Sequence, residues 1–460
     1  MKILVCAKVC DGELNPFDQS ALEMALSMEN SCVTLLCMGP QAWADILRPA
    51  TRLGVKRVIL LSDRAYAGSD TLATSYVLSQ AIQKLSYDLI ICGRKTLDGE
   101  TAQVGPCLSA MLGIPVITNV FDAQVSGDSV VCKTEAGTEK TKLPALLTVE
   151  RTKQLRFPSI FSNIGEIEIW TNNELCADIS KCGLSGSPTK VLQSYESVKG
   201  ERTCSMISPS ECLPLIQKLF MQQKQQRHIK ESDTKLASVW AIGNEVYESA
   251  RAIAKHVVLL PKDTPQSIAG KAIEKKPEVI LWNADFWGRR NAPIVQALLQ
   301  TGLCADCTEL ETDGTRLYMI RPARGGNVTA KIQCDAYPQM ATVRTTDLCD
   351  SELIVSAGRG VADQMDAVTK FADSLGARLC ASRGLVDMGK LGYEAQVGLT
   401  GKLVSPKIYI AIGISGAVHH TVGIQDADVV IAINPDKNAR IFDFADYGVV
   451  CTFETFLNMI

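Results

Sequence analysis

Short apolar runs alternate with amphipathic stretches along this chain, and polar, glycine-bearing turns separate them, a pattern that predicts strands connected by helices in an α/β fold. Strands are expected at Lys2–Val9, Val33–Met38, Val58–Leu61 and Leu89–Cys92, with a helix near Ser20–Ser27 and further helices between them. They form one α/β unit of parallel type. After Leu146–Val149 the pattern loosens into an arm containing Gly183–Thr189. An amphipathic helix, Ser210–Gln226, then ends in the polar run Gln222–Arg227, which reads as a linker. A second α/β block begins at Leu236–Ile242 and runs to about Asp347; a third follows.

The first two blocks echo each other. Tyr87–Gly93, then Asp98–Gly105 and a helix, has the same layout as Pro277–Asn283, then Gly288–Ile294 and a helix. The interval from the acidic residue opening the strand to the alanine opening the helix is the same in both, Asp88 to Ala102 and Glu278 to Ala292. Two related lobes are expected.

A length of 460 residues leaves room for about three domains. With 47 basic residues against 50 acidic, there is no electrostatic footprint for nucleic acid. Met1–Ala7 is too short and unflanked for a signal peptide, and no stretch approaches the roughly 18 apolar residues of a membrane span, so a cytoplasmic protein is expected. The 17 cysteines are scattered through apolar runs and read as small buried hydrophobes in a reducing compartment. Cys304 and Cys307 have the spacing of two metal ligands, but two more are wanting nearby, so no metal site is expected.

Chemistry concentrates in the third block, where apolar runs end in Ile354–Gly360, Cys380–Arg383, Gln396–Gly401, Ile412–His420 and Ala432–Asp436. Such turns recur at the strand ends of doubly wound sheets that hold nucleotides. Ile414–Ala417 offers backbone N–H groups at a helix start, without bulk, for a dinucleotide diphosphate, and the Ser415 hydroxyl adds a donor. Arg383 is placed to set a cation against a flavin ring. At about 4 Å and an effective dielectric near 20 that is worth roughly 4 kcal/mol, on the order of 150 mV. Thr400 is placed to donate to flavin N5 and His420 to O2. Taken singly, each has a plainer reading: a tight turn, a surface arginine, a buried and satisfied histidine.

The third block resembles, nearly end to end, the FAD domain of the electron transfer flavoprotein alpha subunit. Asp285–Arg289, Gly302–Thr308, Arg321–Gly326 and Pro338–Arg344 resemble that subunit's first domain. Residues 1 to about 228 are similar to the beta subunit, including Asp98–Pro106 and Gly186–Thr189. The chain thus resembles a single-chain beta–alpha fusion. This implies a beta-like domain with arm and linker helix at 1–228, a reduced alpha first domain at 229–346 lacking its usual opening strand and helix, and an FAD domain at 347–460. The fold implied is two pseudo-related parallel-sheet lobes of nucleotide-binding type plus a doubly wound FAD-binding domain.

The resemblance further implies that FAD is held by Arg359, Ser382, Arg383, Gln396, Val397, Gly398, Leu399, Thr400, Ser415, Gly416, Ala417, Val418, His419, His420, Asn434 and Asp436, with Arg383, Thr400 and His420 acting on the ring. A second nucleotide, FAD or AMP, is implied at Ala7, Gly93, Asp98, Thr101, Ala102, Gln103, Val104 and Gly105. Ala67–Ser75 and the Asp98–Gly105 loop are closer to the electron-bifurcating branch, whose second FAD takes hydride from NADH. Two FADs and NADH as donor are therefore expected, with a flavoprotein dehydrogenase of the acyl-CoA dehydrogenase type and ferredoxin or flavodoxin as partners. The departures are Leu399 and His419 where the family has Gln, Arg440 where it has Pro, and Lys8–Asp11, which lacks the family's Gln and Pro. Leu155–Ile160 matches the start of the partner-recognition loop, with Ile160 at its leucine anchor, but Asn163–Ile167 replaces the lysine-rich continuation. The alternatives are a carrier with one FAD plus AMP and a non-redox adenine-nucleotide-binding regulatory protein.

Overall fold

Runs such as Ala145–Val149, Gln339–Val343, Leu353–Ala357 and Ile408–Ile412 are buried at every position, as parallel strands covered by helices on both faces require. Each such aliphatic side chain contributes about 1.5–3 kcal/mol relative to leaving it in water. The computed structural model describes all residues except 135, 160, 197–201, 222–231, 233, 325–327, 345–351, 393–394, 399–400 and 403. It divides into two units: Met1–Tyr195, Ile229–Arg324 and Val328–Thr345 form one, and Glu196–His228, Gly325–Asn327 and Thr346–Ile460 the other.

The first lobe of the first unit carries β1 (Lys2–Ala7), β2 (Cys32–Met38), β3 (Arg57–Leu61), β4 (Leu89–Gly93), β5 (Val116–Ser126), β6 (Ser129–Thr134), β7 (Gly137–Lys142), β8 (Ala145–Val149) and β9 (Glu168–Trp170). They form one sheet in the order β9-β3-β2-β1-β4-β8-β5-β6-β7. Its inner strands are parallel as expected, whereas β5–β7 continue it as an antiparallel meander that turns at Gly127 (φ 63°). Helices α1 (Pro16–Ser27), α2 (Thr71–Ile82) and α3 (Val104–Leu112) cover it. Asp70 starts α2 by accepting the Leu72 and Ala73 N–H groups at 2.9 and 3.0 Å.

The arm gives β10 (Thr189–Glu196), then β11 (Ser205–Met206) and α4 (Pro209–Met221). The second lobe contains β12 (Leu236–Ile242), α5 (Tyr247–Ile253), β13 (Ala254–Leu260), α6 (Pro265–Lys275), β14 (Val279–Asn283), α7 (Phe286–Leu299), β15 (Leu303–Cys307), β16 (Glu309–Thr312), β17 (Leu317–Ala323), β18 (Val328–Cys334) and β19 (Gln339–Val343). Its main sheet is β13-β12-β14-β19-β15, and β10-β18-β17-β16 form a separate one. Cys304 and Cys307 lie in its apolar core.

The five strands β2-β1-β4-β8-β5 of the first lobe and β13-β12-β14-β19-β15 of the second share order and connectivity. The match extends to detail. Each lobe has a bulge between its last two parallel strands, where a left-handed residue (Asn119, φ 57°; Asp306, φ 56°) donates its N–H to a threonine hydroxyl (Thr148, 3.2 Å; Thr342, 2.8 Å). β12 pairs with β14 as β1 pairs with β4. Relative to the run β3-β2-β1-β4-β8-β5 of the first lobe, the second lobe has one strand fewer among the described residues.

The second unit holds β20 (Leu353–Ala357), α8 (Met365–Ser374), β21 (Arg378–Ser382), α9 (Arg383–Asp387), β22 (Gln396–Val397), β23 (Ile408–Ile412), α10 (Val418–Thr421), β24 (Val429–Ile433), β25 (Tyr447–Val449) and α11 (Phe453–Met459). The sheet order β11-β25-β24-β23-β20-β21-β22 is doubly wound, with its direction of progression reversing between β20 and β23. The helix expected over Ser210–Gln226 is described as α4; its Cys212 and Ile216 are buried with Phe371, Phe453 and Phe456 in this unit's core. The polar run expected as a linker lies outside the described residues.

Candidate functional site

Three loops meet where the doubly wound sheet reverses. After β20, Gly358 N–H donates to Ile412 O at 2.8 Å, and Gly360 N–H to Gly413 O at 3.1 Å. A Cβ on Gly358 would collide with the Gly413 carbonyl. Gly413 and Gly416 have φ of 62° and 83°, and a Cβ on Gly416 would collide with the Ile441 backbone nitrogen. The third loop is tied in by Asn434, whose Nδ2 donates to Ile414 O at 2.8 Å while its Oδ1 accepts the Asp436 N–H at 2.9 Å.

Between these loops lies a cavity of about 450 Å³, lined by Gly360, Gly413, Ser415, Ala417, Asn434, Asp436 and Arg440, among others. The structure thus brings together Ser415, Gly416, Ala417, Asn434 and Asp436 of the expected FAD residues, with Val418 and the His419 backbone opening α10. The first N–H groups of a helix have no intrahelical partner and are available to an anion. Arg440 enters the same cavity from the loop after β24, a placement the sequence reading passed over because it registered only as a departure. Gly360 and Gly413 were likewise missed as cradle residues. Their signal was the Gly-Arg-Gly and Gly-Ile-Ser-Gly runs immediately after β20 and β23.

The remaining expected residues that the structure describes lie outside the cavity lining. Ser382 and Arg383 mark the β21–α9 junction, where the half-exposed Arg383 pairs through Nε with Asp387 Oδ2 at 3.3 Å. The Arg359 stem lies over Gly384, where a Cβ would meet its Cδ at 2.8 Å. Gln396 and Val397 form β22 and Gly398 follows with φ 137°. Leu399, Thr400 and the His419 side chain lie outside the described residues.

His420 departs from its expected role. It is buried, with Nδ1 3.2 Å from Val397 O and Nε2 3.0 Å from the Tyr409 hydroxyl. A carbonyl can only accept, so Nδ1 carries the proton and Nε2 accepts from Tyr409. Neither ring nitrogen is left to donate to a flavin carbonyl. In this structure His420 is a positioning residue that holds the end of β22. Burial pushes its pKa down to about 4. The unfolded chain therefore takes up the proton first as pH falls. The stabilisation is fully present above the ordinary value near 6.5, declines below it and is gone by about 4, a total of about 3 kcal/mol. Denaturant unfolding across this range should show that decline in the native chain and its absence in His420→Leu; parallel profiles would refute the assignment.

The residues expected to hold a second nucleotide lie at the ends of β1 and β4 and before α3 in the first lobe. Gly93 ends β4, Ala7 ends β1, and the Lys8 ammonium pairs with Asp98. Thr101 and Ala102 (φ 55°) lead into Gln103, the residue before Val104 opens α3. A Cβ on Gly105 would collide with the Thr148 methyl, so this glycine serves close helix–strand packing. Much of the polar capacity is already engaged. Gln103 accepts from Thr71 Oγ1 at 2.7 Å and donates to Leu303 O at 3.1 Å. Asp18 accepts the Lys8 and Gly93 N–H groups at 2.9 and 3.0 Å, and burial pushes its carboxyl up to about 7.

The segment expected to begin a partner loop is held to the first lobe by Arg156, whose Nε and guanidinium nitrogen donate to Glu23 at 2.9 and 2.8 Å, and by Arg52, which donates to Ser159 O at 2.7 Å. It presents Phe157 and Phe161 at 87% and 91% exposure, an uncommon cost for aromatic rings unless something covers them. Ile160, its expected anchor, lies outside the described residues.

Comparison with known proteins matches segments of both units. The Electron transfer flavoprotein domain family matches residues 3–169 and 250–369, and the Electron transfer flavoprotein FAD-binding domain family matches residues 347–425. Among similar proteins, an electron transfer flavoprotein subunit beta of Megasphaera elsdenii is 43% identical over 197 residues, covering 38% of this chain and 73% of the relative. An electron transfer flavoprotein subunit alpha of Thermoanaerobacterium thermosaccharolyticum is 39% identical over 231 residues, covering 40% and 70%. An acryloyl-CoA reductase electron transfer subunit beta of Anaerotignum propionicum is 35% identical over 251 residues, covering 38% and 68%. Alpha-type and beta-type relatives match different regions. Among the described residues no helix is long and apolar enough to cross a membrane.

Proposed function

Because the chain belongs to the electron transfer flavoprotein family, with beta-like and alpha-like parts fused in one polypeptide, we propose that it carries electrons from NADH or a flavoprotein dehydrogenase to a redox partner through FAD held in the second unit. The observation that carries this reading is the glycine-built cavity at the reversal between β20 and β23. Its residues fit the group: Gly360 and Gly413 line the cavity without side-chain bulk, Gly358 and Gly416 let the loops around it approach closely, and the Ser415 hydroxyl and first α10 amides supply donors. Arg440 adds positive charge on the same cavity wall. FAD, when bound, supplies reversible one- and two-electron chemistry. Asn434 locks two of the loops together, and His420 fixes the β22 carbonyl next to the glycine turn at 398.

Arg383 contributes a cation, offset in part by Asp387 and by solvent. Arg383→Ala should therefore lower the flavin midpoint potential by roughly 40 mV, the water-screened limit at about 4 Å, and by less than the roughly 150 mV of a desolvated charge. A redox titration that finds the potential unchanged removes the arginine from this role.

In the first lobe the proposal is a second FAD that takes hydride from NADH, which would make the chain a bifurcating carrier. The resemblance of Ala67–Ser75 and Asp98–Gly105 to that branch supports it. One FAD plus AMP is the competing reading, favoured by Asp18, which already occupies the Lys8 and Gly93 amides, and by the engaged Gln103. Extraction and quantification of bound nucleotides decides: two FAD per chain, or one FAD with one AMP. A protein that remains colourless after incubation with FAD would overturn the carrier function itself. The partner proposed is a dehydrogenase of the acyl-CoA type, met by the Phe157 and Phe161 segment, with ferredoxin or flavodoxin as acceptor.

A further inference from the structure

The second lobe's sheet ends on β13, and among the described residues nothing pairs with its outer side. In the first lobe the strand at the same place, β2, is covered by β3 and then β9. Of the devices that normally guard an open edge, β13 carries only a lysine, outside its apolar run. It runs Ala-Lys-His-Val-Val-Leu-Leu, with no proline before Pro261 and one lysine near its start. Its apolar side chains are on show, Val258 at 40% and Leu259 at 44% exposure.

Both faces of this edge continue the apolar surface. Leu260 packs with Ile268 and Ala272 of α6, so by strand alternation Val258 is on the α6 face; Val257 packs with Val246 and Ala250 on the α5 face, which Leu259 shares. Each helix adds an exposed apolar residue, Ile273 on α6 and Tyr247 on α5.

We propose that two copies of this chain join along β13, antiparallel, about a two-fold axis through Val258, so that two five-stranded sheets become one. A second copy is the occupant because the edge is complementary to itself. Pairing about Val258 sets Val257 opposite Leu259 and His256 opposite Leu260, and Lys255 falls opposite Pro261 just beyond the strand. No like charges meet, and the whole apolar run is covered in both copies, as a closed two-fold interface demands.

Sedimentation equilibrium on the full flavin-loaded chain at micromolar concentration should return about twice the 49.8 kDa chain mass. Val258→Lys should weaken the dimer at least tenfold, about 1.4 kcal/mol, while flavin absorbance stays as in the parent. Val258→Cys should form a reducible cross-linked dimer under mild oxidation, because the two side chains meet at the axis, at a yield well above the parent's background from exposed Cys32 and Cys176. A parent that stays monomeric, or a dimer that persists in Val258→Lys, overturns the proposal. Should Val258→Lys fail to fold, the Val258→Cys result decides alone, and a yield no greater than the parent's overturns it.

Discussion

A Gly416→Ala chain is expected to purify without flavin. Gly416 sits at φ 83°, where a side chain costs about 1–2 kcal/mol, and its Cβ would collide with the Ile441 nitrogen in the backbone of the third loop. Relief of that collision must move the Ser415–Ala417 turn or the Arg440–Ile441 segment, and both belong to the cavity wall. A combined penalty near 3 kcal/mol corresponds to roughly a hundredfold loss of FAD affinity. The ratio of flavin to protein absorbance after purification, followed by FAD titration, reads this directly. Gly376→Ala is the matched control: φ is 61°, but nothing lies within 4 Å of the added atom, so strain enters without collision and flavin should be retained. Stoichiometric FAD in Gly416→Ala would show that this turn does not shape the site.

The second large effect is expected at Asp306. Its carboxylate accepts from Arg289 Nε and a terminal guanidinium nitrogen, both at 2.9 Å, and from Arg344 at 3.5 Å, with Arg321 as a further nearby cation. Arg321 is itself buried, and the Arg344 side chain is only 9% exposed. Asp306→Ala leaves those cations without their anion, which typically costs about 3–5 kcal/mol. Urea unfolding of the flavin-loaded chain should register the loss, with Asp306→Asn also destabilised because shape is kept and charge is not. The arginines hold the Asp306 carboxyl far below the usual carboxylate range. The stabilisation is therefore fully present above about pH 3.9 and lost only as pH falls through the lower folded value, so the parent–variant gap should be flat across neutral pH. A gap below about 1 kcal/mol would mean that the arginines are neutralised elsewhere.

Where burial alone shapes an element, the sequence was readable. Tyr87–Gly93 and Pro277–Asn283 were expected as matching strands, and β4 and β14 within them occupy matching places, because strands buried on both faces leave unbroken apolar runs. The glycine turns after β20 and β23 were legible for the same local reason. The β5–β7 meander was not, since a half-exposed antiparallel extension has no uninterrupted run to mark it. What stayed hidden depends on partners distant in the chain. Nothing near His420 announces that the Val397 carbonyl and Tyr409 will consume both its nitrogens, and nothing near Gln103 points to Leu303. Arg440 reaches the cavity only because the loop after β24 folds back against Gly416.

The bulge shared by Asn119 and Asp306, each anchored to a threonine on the neighbouring strand, reads as a record of ancestry. One domain family matches both halves of the first unit, and the kink recurs at the same point of each pleated ribbon, so the halves behave as copies of a single progenitor in which this kink was kept. Divergence then acted on what the kink displays: an uncharged amide in one descendant, an anion ringed by guanidinium groups in the other.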